Sequence, residues 1–255
     1  MIKILGERNS GTTYLDRLLR RNLRVRILPG VLPKPIERLF PTSERVRDLY
    51  FRATRRHNLG WKHAAAPRPG ELADAAIDPS EILFLVLTKN PYSWLLSLHR
   101  RPYHAKQRHR DFDVFLKSPW PTLGRENART SFETPIDLWN AKNASYLDLA
   151  AGAEVLALRY EDLLRNPFGI LDRLVRTHRF EARRSPFENI EEAAKPGDRD
   201  RRSSDYRDYY LGERWKQELS PSSLAWINSR LDQDLMERLG YPLIDPAAPE
   251  APRNP

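Results

Sequence analysis

The chain has 255 residues, of which 40% are hydrophobic, and its 43 Lys and Arg against 34 Asp and Glu give a formal net charge of +9. This length allows one sizeable hydrophobic core, and the positive charge favours an anionic partner: a nucleotide, a phosphate or sulfate ester, an acidic glycan, nucleic acid or an anionic membrane surface. The absence of cysteine excludes disulfides, thiolate zinc sites and cysteine nucleophiles.

No apolar stretch approaches the ~20 residues of a membrane-spanning helix, and no signal peptide is visible. We therefore expect a cytoplasmic protein with a single domain over residues 1–245 and a disordered Pro/Ala-rich tail over residues 246–255. Surface excursions are expected near residues 29–58, which are interrupted by prolines, and near residues 100–133, which are rich in basic residues and irregular.

The first predicted unit is a strand, a loop and a helix over residues 2–23. The apolar run Ile2-Lys3-Ile4-Leu5 is followed by Gly-Glu-Arg-Asn-Ser-Gly-Thr-Thr and then by leucines at helical spacing. Thr12 or Thr13 could cap the helix. Gly11 would let the backbone turn tightly around an anion, with the N–H groups at the start of the helix pointing into the turn. The layout is that of a phosphate-binding loop.

Two further strands are predicted. The unbroken apolar run Ile82–Leu87 is typical of a strand buried on both faces in the middle of a parallel sheet, and Glu154–Tyr160 predicts a third buried strand. After the central strand, Asn90 can cap a helix and Pro91 suits its first position. A short strand end is also predicted at Leu59–His63.

Further helices are predicted at residues 136–151, 167–178 and 221–239. Alternating strands and helices predict an α/β fold with a mainly parallel central sheet flanked by helices. Ligands of such sheets bind outside the carboxyl ends of the strands, where the first loop, Lys89 and Tyr160 would all lie. Three features therefore converge on one edge.

The first loop departs from that of nucleoside triphosphatases. Those loops end in Gly-Lys-Ser/Thr, where the lysine reaches the β and γ phosphates and the hydroxyl holds Mg²⁺, whereas this chain has Ser10-Gly11-Thr12-Thr13. A P-loop nucleotide or small-molecule kinase is an alternative that needs Mg²⁺ ligands the sequence does not show. A basic nucleic-acid-binding protein is another, although the basic residues are scattered among acidic ones.

The residues resemble the sulfotransferases that use 3′-phosphoadenosine 5′-phosphosulfate (PAPS). Arg8 to Tyr14, Arg-Asn-Ser-Gly-Thr-Thr-Tyr, resembles their 5′-phosphosulfate loop. Lys89-Asn90-Pro91 with Ser97 resembles their second element, in which a basic residue and a serine eight positions on bind the 3′-phosphate. Tyr160-Glu161-Asp162-Leu163 resembles a third. The resemblance implies a three-layer, P-loop NTPase-like sulfotransferase fold of the bacterial type.

The resemblance also implies roles for single residues, with PAPS as co-substrate, adenosine 3′,5′-bisphosphate as product and no metal. His63 would be the general base, and Lys62 a cation near the phosphosulfate. By residue type alone Tyr14 and Tyr160 are typical of core aromatics, so their place beside the adenine depends on the resemblance. The implied nucleotide-binding residues are Arg8, Asn9, Ser10, Gly11, Thr12, Thr13, Tyr14, Lys89, Ser97 and Tyr160.

One departure from the family concerns catalysis. The family places Lys or Arg immediately before Ser-Gly-Thr, whereas this chain has Asn9 there and Arg8 one place earlier. Either Arg8 or Lys62 would have to supply that cation. The family also has a basic element near its C-terminus, and this sequence contains no plain counterpart of it. The candidates for closing over the nucleotide are Lys195-Pro196-Gly197 and Arg201-Arg202.

The expected reaction is transfer of a sulfuryl group from PAPS to a hydroxyl or amine by in-line displacement, with His63 as the base. The excess of positive charge favours a carbohydrate acceptor, such as an acidic glycan, or a glycolipid. Nucleic acid is not an expected partner of this enzyme.

Overall fold

The computed structural model describes residues 1–104, 108–192 and 202–247. The candidates Lys195-Pro196-Gly197 and Arg201, and the predicted tail beyond Ala247, lie outside these residues. The strands are β1 (Ile2–Leu5), β2 (Leu23–Arg24), β3 (Leu83–Thr88), β4 (Trp120–Pro121), β5 (Ser131–Phe132), β6 (Glu154–Arg159) and β7 (Glu181–Ala182). The α-helices are α1 (Thr12–Asn22), α2 (Lys34–Leu39), α3 (Glu44–Asn58), α4 (Pro69–Ala73), α5 (Pro91–Arg100), α6 (Phe112–Leu116), α7 (Pro135–Asp148), α8 (Tyr160–Arg165), α9 (Pro167–Thr177), α10 (Ser203–Leu211), α11 (Pro221–Arg230) and α12 (Gln233–Leu239).

The central sheet has three parallel strands in the order β1-β3-β6. All six residues of β3 are buried, which confirms the prediction of a central strand at this point of the chain. In strand β6, Leu156 and Leu158 are buried whereas the alternate residues Val155, Ala157 and Arg159 are more exposed, so the prediction of a fully buried third strand is wrong in this respect.

Helices cover both faces of the sheet because alternate residues of β3 point in opposite directions. Leu83, Leu85 and Leu87 pack in one cluster with the leucines of α1 and α9. Phe84 and Val86 pack in another with Tyr146 of α7. Full burial of a large apolar side chain contributes about 1.5–3 kcal/mol, so these two layers fix the sheet between the helices. The predicted α/β class, with a parallel sheet flanked by helices, is confirmed.

The carboxyl ends of the three strands meet at one edge. Strand β1 ends at Leu5, β3 at Thr88 and β6 at Arg159, and the parallel register places Leu5 beside Val86 and Thr88 beside Arg159. The first loop, Lys89 and Tyr160 follow these ends directly.

Residues 29–58 were expected to be an irregular surface excursion; nearly all of them are exposed or half-buried, but the expectation of irregular structure is wrong. They contain α2 and the fifteen-residue helix α3. Helix α3 is bound to the body by polar contacts: Arg125 Nη1 donates to Asp48 Oδ1 at 2.7 Å, and Arg125 Nη2 to Glu44 Oε2 at 2.5 Å. Because ion pairs attach this helix to the body, its sequence has no clear apolar stripe from which it could be predicted.

The expected irregular segment over residues 100–133 contains α6 and the strand pair β4–β5. Tyr103, Phe115 and Trp120 are buried in the largest hydrophobic cluster. The described residues of this segment therefore contribute side chains to the core, and the expectation of irregular structure is wrong for α6 and the pair β4–β5.

The helix predicted over residues 221–239 is two helices, α11 and α12. The chain is extended at Leu231, and the Asp232 side chain accepts a hydrogen bond from Leu235 N at 3.0 Å, which caps α12. Helix α9 confirms the prediction at 167–178, and α7 with a following 3₁₀ turn confirms 136–151.

The strand end predicted at residues 59–63 is a turn. The backbone of Lys62 nevertheless accepts a hydrogen bond from the Gly6 N–H and donates one to the Gly30 carbonyl. None of the described helices combines the length and the apolar composition that a bilayer-spanning segment needs.

Candidate functional site

The first loop turns sharply between β1 and α1. Asn9 and Gly11 have positive φ angles of 68° and 94°, and the Ser10 hydroxyl donates a 2.6 Å hydrogen bond back to the Glu7 carbonyl. A Cβ at residue 11 would lie 2.4 Å from Cδ2 of Tyr160, so only glycine fits against that ring. The N-cap of α1 is Gly11 and its first residue is Thr12, which corrects the prediction of a threonine cap.

Lys62 and His63 lie directly against this loop. The backbone N–H of Gly6 donates to the Lys62 carbonyl at 2.9 Å, and Lys62 Nζ donates to Thr13 Oγ1 at 3.1 Å. His63 Nδ1 lies 2.7 Å from the Gly6 carbonyl oxygen. Because a carbonyl oxygen can only accept, Nδ1 carries the proton and Nε2 is the basic nitrogen.

The surroundings of His63 and Lys62 lower the pKa of both side chains. Burial lowers the pKa of His63 well below its usual 6.5, and the neighbouring cations Lys62 and Arg8 lower it further. Burial also lowers the pKa of Lys62 to about 8, with a smaller effect of the same sign from Arg8. His63 is therefore neutral at neutral pH. Lys62 is a cation at that pH and loses its proton about one pH unit higher.

Arg8 is held against aromatic rings. Its guanidinium carbon lies 4.6 Å from the centroid of the Tyr103 ring and 5.9 Å from that of Trp61, while its backbone carbonyl accepts a 2.8 Å hydrogen bond from Trp94 Nε1. Trp61 in turn contacts the His63 ring edge-on at 4.9 Å. Arg8 and His63 therefore share the Trp61 ring as a neighbour.

Lys89 and Ser97 form the second polar element. Lys89 Nζ donates to Ser97 Oγ at 2.8 Å and lies 3.5 Å from the Asn9 carbonyl oxygen. Asn90 caps α5 by accepting from Tyr92 N at 3.1 Å, as predicted. The end of the central strand and the first loop are thus in direct contact.

A group of tyrosines surrounds Lys89, and the sequence reasoning missed part of it. Lys89 Nζ lies 3.9 Å from the ring centroid of Tyr210 and 5.3 Å from that of Tyr160. The Tyr210 hydroxyl is 3.2 Å from Ser97 Oγ, and its ring is parallel to that of Tyr206. Burial raises the pKa of Tyr210, but the positive charge of Lys89 acts against this, and the net effect of the surroundings is to lower it. Both missed tyrosines belong to α10, where no helix was predicted.

Beneath the loop lies a buried ion triad that the sequence reasoning also missed. Lys142 Nζ donates to Glu7 Oε1 and Glu126 Oε2, both at 2.5 Å, and to the His63 carbonyl at 2.8 Å. All three side chains are buried, and the two carboxylates raise the pKa of Lys142 against the effect of burial. The triad ties the first loop to the segment that carries the predicted base.

A cavity of about 690 Å³ joins these elements. Three predicted residues, Ser10, Lys62 and Lys89, do not line the cavity themselves. The Ser10 hydroxyl turns back to Glu7, while Lys62 and Lys89 contact the lining residues Thr13 and Ser97. The predicted residues that line the cavity are Arg8, Asn9, Gly11, Thr12, Thr13, Tyr14, His63, Ser97 and Tyr160. Lining residues that were not predicted include Glu37, Arg101, Ile190, Ser203, Tyr206 and Tyr210.

Chemically, the cavity is suited to an anion with a flat apolar part. Lys89 and Lys62 form no ion pair with a carboxylate of the described residues, and backbone N–H groups of α1 begin at the same place. Its size falls within the range of small-molecule sites, and its walls contain the rings of Tyr14, Tyr160, Tyr206 and Tyr210. The described residues contain no group of three or more His, Asp or Glu side chains arranged around a metal position.

Neither a scan against protein-family models nor a search of curated proteins gives a significant match for this chain.

Proposed function

We propose that this chain is a PAPS-dependent sulfotransferase with a P-loop-like sulfotransferase fold. It transfers the sulfuryl group to a hydroxyl or amine of an acceptor. One observation carries the proposal: the first loop and Ser97 line a common cavity, and Lys89, which donates to Ser97 Oγ, has its Nζ 3.5 Å from the Asn9 carbonyl oxygen of that loop. Two neighbouring anion-binding elements suit the two phosphate positions of one adenosine.

The residues fit such a nucleotide. The N–H groups at the start of α1 and the Lys62 ammonium would hold its 5′ end, and Lys89 with Ser97 would hold its 3′-phosphate. The rings of Tyr14 and Tyr160 border the same cavity and would contact the adenine. Bound PAPS would supply the activated sulfuryl group.

His63 acts as the base. Its Nδ1–H donates to the Gly6 carbonyl, so Nε2 accepts the proton of the acceptor as the acceptor oxygen or nitrogen bonds to sulfur. The bond from sulfur to the 5′-phosphate oxygen breaks in the same step, and its electron pair remains on that oxygen. A positioned base of this kind contributes ~10²–10⁴-fold to the rate.

Lys62 supplies the cation that the family places immediately before Ser-Gly-Thr. Its ammonium contacts Thr13 of the loop, whereas the Arg8 guanidinium lies over Tyr103. In a dry site, Lys62 and the loop N–H groups are each worth about 3 kcal/mol in stabilising charge on the leaving oxygen. Arg8 helps to keep His63 neutral and ready to accept a proton.

Calorimetry with adenosine 3′,5′-bisphosphate, adenosine 5′-phosphate and ATP-Mg²⁺ in parallel tests the proposal. The sulfotransferase proposal predicts that the bisphosphate binds most tightly. A preference for ATP-Mg²⁺ would favour the kinase alternative. Weak binding of all three, together with tight and salt-sensitive binding of DNA or RNA, would favour the nucleic-acid-binding alternative.

A further inference from the structure

The segment from residue 31 to residue 52 exposes apolar side chains to solvent. Seven large hydrophobic side chains of the described residues are exposed, and four of them lie between residues 31 and 49. Leu39 is 74% exposed and Leu49 67%, followed by Val31 at 54% and Phe40 at 47%. Scattered single apolar residues are normal on a surface, but such a concentration marks an interaction site.

The same segment exposes unpaired positive charge. Within the described part of the chain, Lys34, Arg38, Arg45 and Arg52 form no ion pair and no side-chain hydrogen bond, and all four are exposed. The acidic residues of the segment, in contrast, are all paired with Arg47 or Arg125: these are Glu37, Glu44 and Asp48. The free charge of this surface is therefore positive.

Helix α3 has its contacts with the body of the protein on one stripe and its exposed basic and apolar residues on a neighbouring stripe. Glu44, Asp48 and Phe51 point to the body of the protein, where the first two pair with Arg125 and Phe51 is buried. Arg45, Leu49 and Arg52 follow at offsets of four and three residues, so they form an outward stripe. Helix α2 is held beside it, because Arg47 contacts both Glu37 and the Pro41 carbonyl.

We propose that this surface, residues 31–52, docks the protein on an anionic lipid membrane. Aliphatic side chains among basic ones are typical of helices that lie in the membrane interface, where the apolar groups enter the acyl boundary and the cations meet acidic headgroups. A second copy of the chain would bring these cations against one another. A protein partner is less well matched, since leucine and valine are under-represented in interface hot spots.

The position of the cavity agrees with this proposal. Glu37 of α2 lines the cavity, so docking through residues 31–52 would bring the cavity close to the lipid headgroups.

Co-sedimentation with phosphatidylcholine vesicles, with and without phosphatidylglycerol, tests the proposal on the full chain. The wild-type protein is expected to bind only the anionic vesicles, and to bind more weakly as salt is raised. Replacing Arg45 and Arg52 by Ser should weaken binding by about 30-fold. The pair Leu39→Ser and Leu49→Ser should weaken it at least as strongly, at unchanged helix content by circular dichroism.

The matched control replaces exposed apolar residues elsewhere, Val114→Ser with Phe168→Ser, and should bind vesicles like the wild type. The proposal is overturned if the wild type does not bind anionic vesicles, or if the control loses as much binding as the Leu39/Leu49 variant. It is also overturned if light scattering shows a dimer that the Leu39/Leu49 substitutions dissociate.

Discussion

Lys89 Nζ and Ser97 Oγ are joined by a 2.8 Å hydrogen bond that spans eight residues of the chain. The contact follows from helix geometry. Ser97 lies roughly two turns into α5, and helical side chains lean toward the N-terminus, so its hydroxyl returns to the end of β3. The Lys89 carbonyl also accepts a 3.1 Å bond from Trp139 Nε1 of α7, which fixes the lysine backbone.

Replacing His63 by Ala is expected to lower kcat by about 10²–10⁴-fold, because the acceptor then keeps its proton. Affinity for adenosine 3′,5′-bisphosphate should stay nearly unchanged, since His63 contacts the Gly6 carbonyl rather than the anion-binding groups. Calorimetry and a PAPS turnover assay on the same preparation measure the two quantities. Turnover that survives the substitution would mean that the base is another residue.

The pH dependence of kcat/KM for PAPS should reflect the low pKa of His63. A base works unprotonated, so the rate falls as pH drops through its pKa. Because burial, Lys62 and Arg8 hold this pKa well below 6.5, the acidic limb should lie well below that pH. An acidic limb at or above 6.5 would show that these surroundings do not act on the base.

Lys62 should make nucleotide binding sensitive to alkaline pH. Burial lowers its pKa to about 8, so the ammonium loses its proton, and its attraction for the 5′ anion, as pH rises through that value. Affinity for adenosine 3′,5′-bisphosphate, measured by calorimetry, should therefore fall between about pH 7 and about pH 9. Lys62→Arg, which keeps its charge, should remove most of this fall. An identical fall in this variant would assign it to another group.

Replacing Lys142 by Met is expected to lower the free energy of unfolding by about 3–5 kcal/mol, because Glu7 and Glu126 would then be buried without their cation. The triple variant Lys142→Met, Glu7→Gln and Glu126→Gln removes the buried charge and should regain much of that loss. Urea unfolding at neutral pH measures both. A Lys142→Met protein as stable as the wild type would contradict a charged, mutually dependent triad.

Lys3 is buried and pairs with no carboxylate of the described residues. It donates to three carbonyls, at 3.2 Å to Pro29 and at 2.5 Å to both Asn58 and Gly60. Lys3→Met leaves those oxygens unpaired and should cost about 3 kcal/mol or more in urea unfolding. The exposed Lys34→Met is the control and should change stability by less than about 0.5 kcal/mol.

The contribution of Lys3 should also depend on pH. Burial, with a smaller effect from Arg55, lowers its pKa to about 7, so from pH 7 toward its unfolded value of 10.5 the unfolded chain binds more protons than the folded one. The stability difference between wild type and Lys3→Met should therefore grow over that interval. A constant difference would mean that Lys3 stays charged in the folded protein.

Local sequence signals predicted the elements whose contacts are local or apolar. Asn90 and Pro91 marked the start of α5 because capping depends on neighbouring residues, and the run Ile82–Leu87 marked β3 because both its faces are apolar. Helix α3 was missed because Glu44 and Asp48 face inward to Arg125, so its inner stripe carries charge where an apolar pattern was sought.

The parts of the site that were missed depend on tertiary contacts. Tyr210 reaches Ser97 across 113 residues, and Lys142 reaches Glu7 across 135, so no spacing in the sequence connects them. One usable signal was present: Tyr206 and Tyr210 are four residues apart, the spacing of one helix face. Their parallel rings line the cavity from α10.

The central claim, that the first loop and the Lys89–Ser97 pair hold the two ends of one nucleotide, is tested most directly by a ratio of dissociation constants. Calorimetry gives the value for adenosine 5′-phosphate divided by that for adenosine 3′,5′-bisphosphate, in the wild type and in Lys89→Met. We predict a ratio of about 10 or more in the wild type, from at least one charge-assisted hydrogen bond to the 3′-phosphate, and a ratio near 1 in the variant. Equal weakening of both nucleotides in the variant, or a wild-type ratio near 1, would contradict the account.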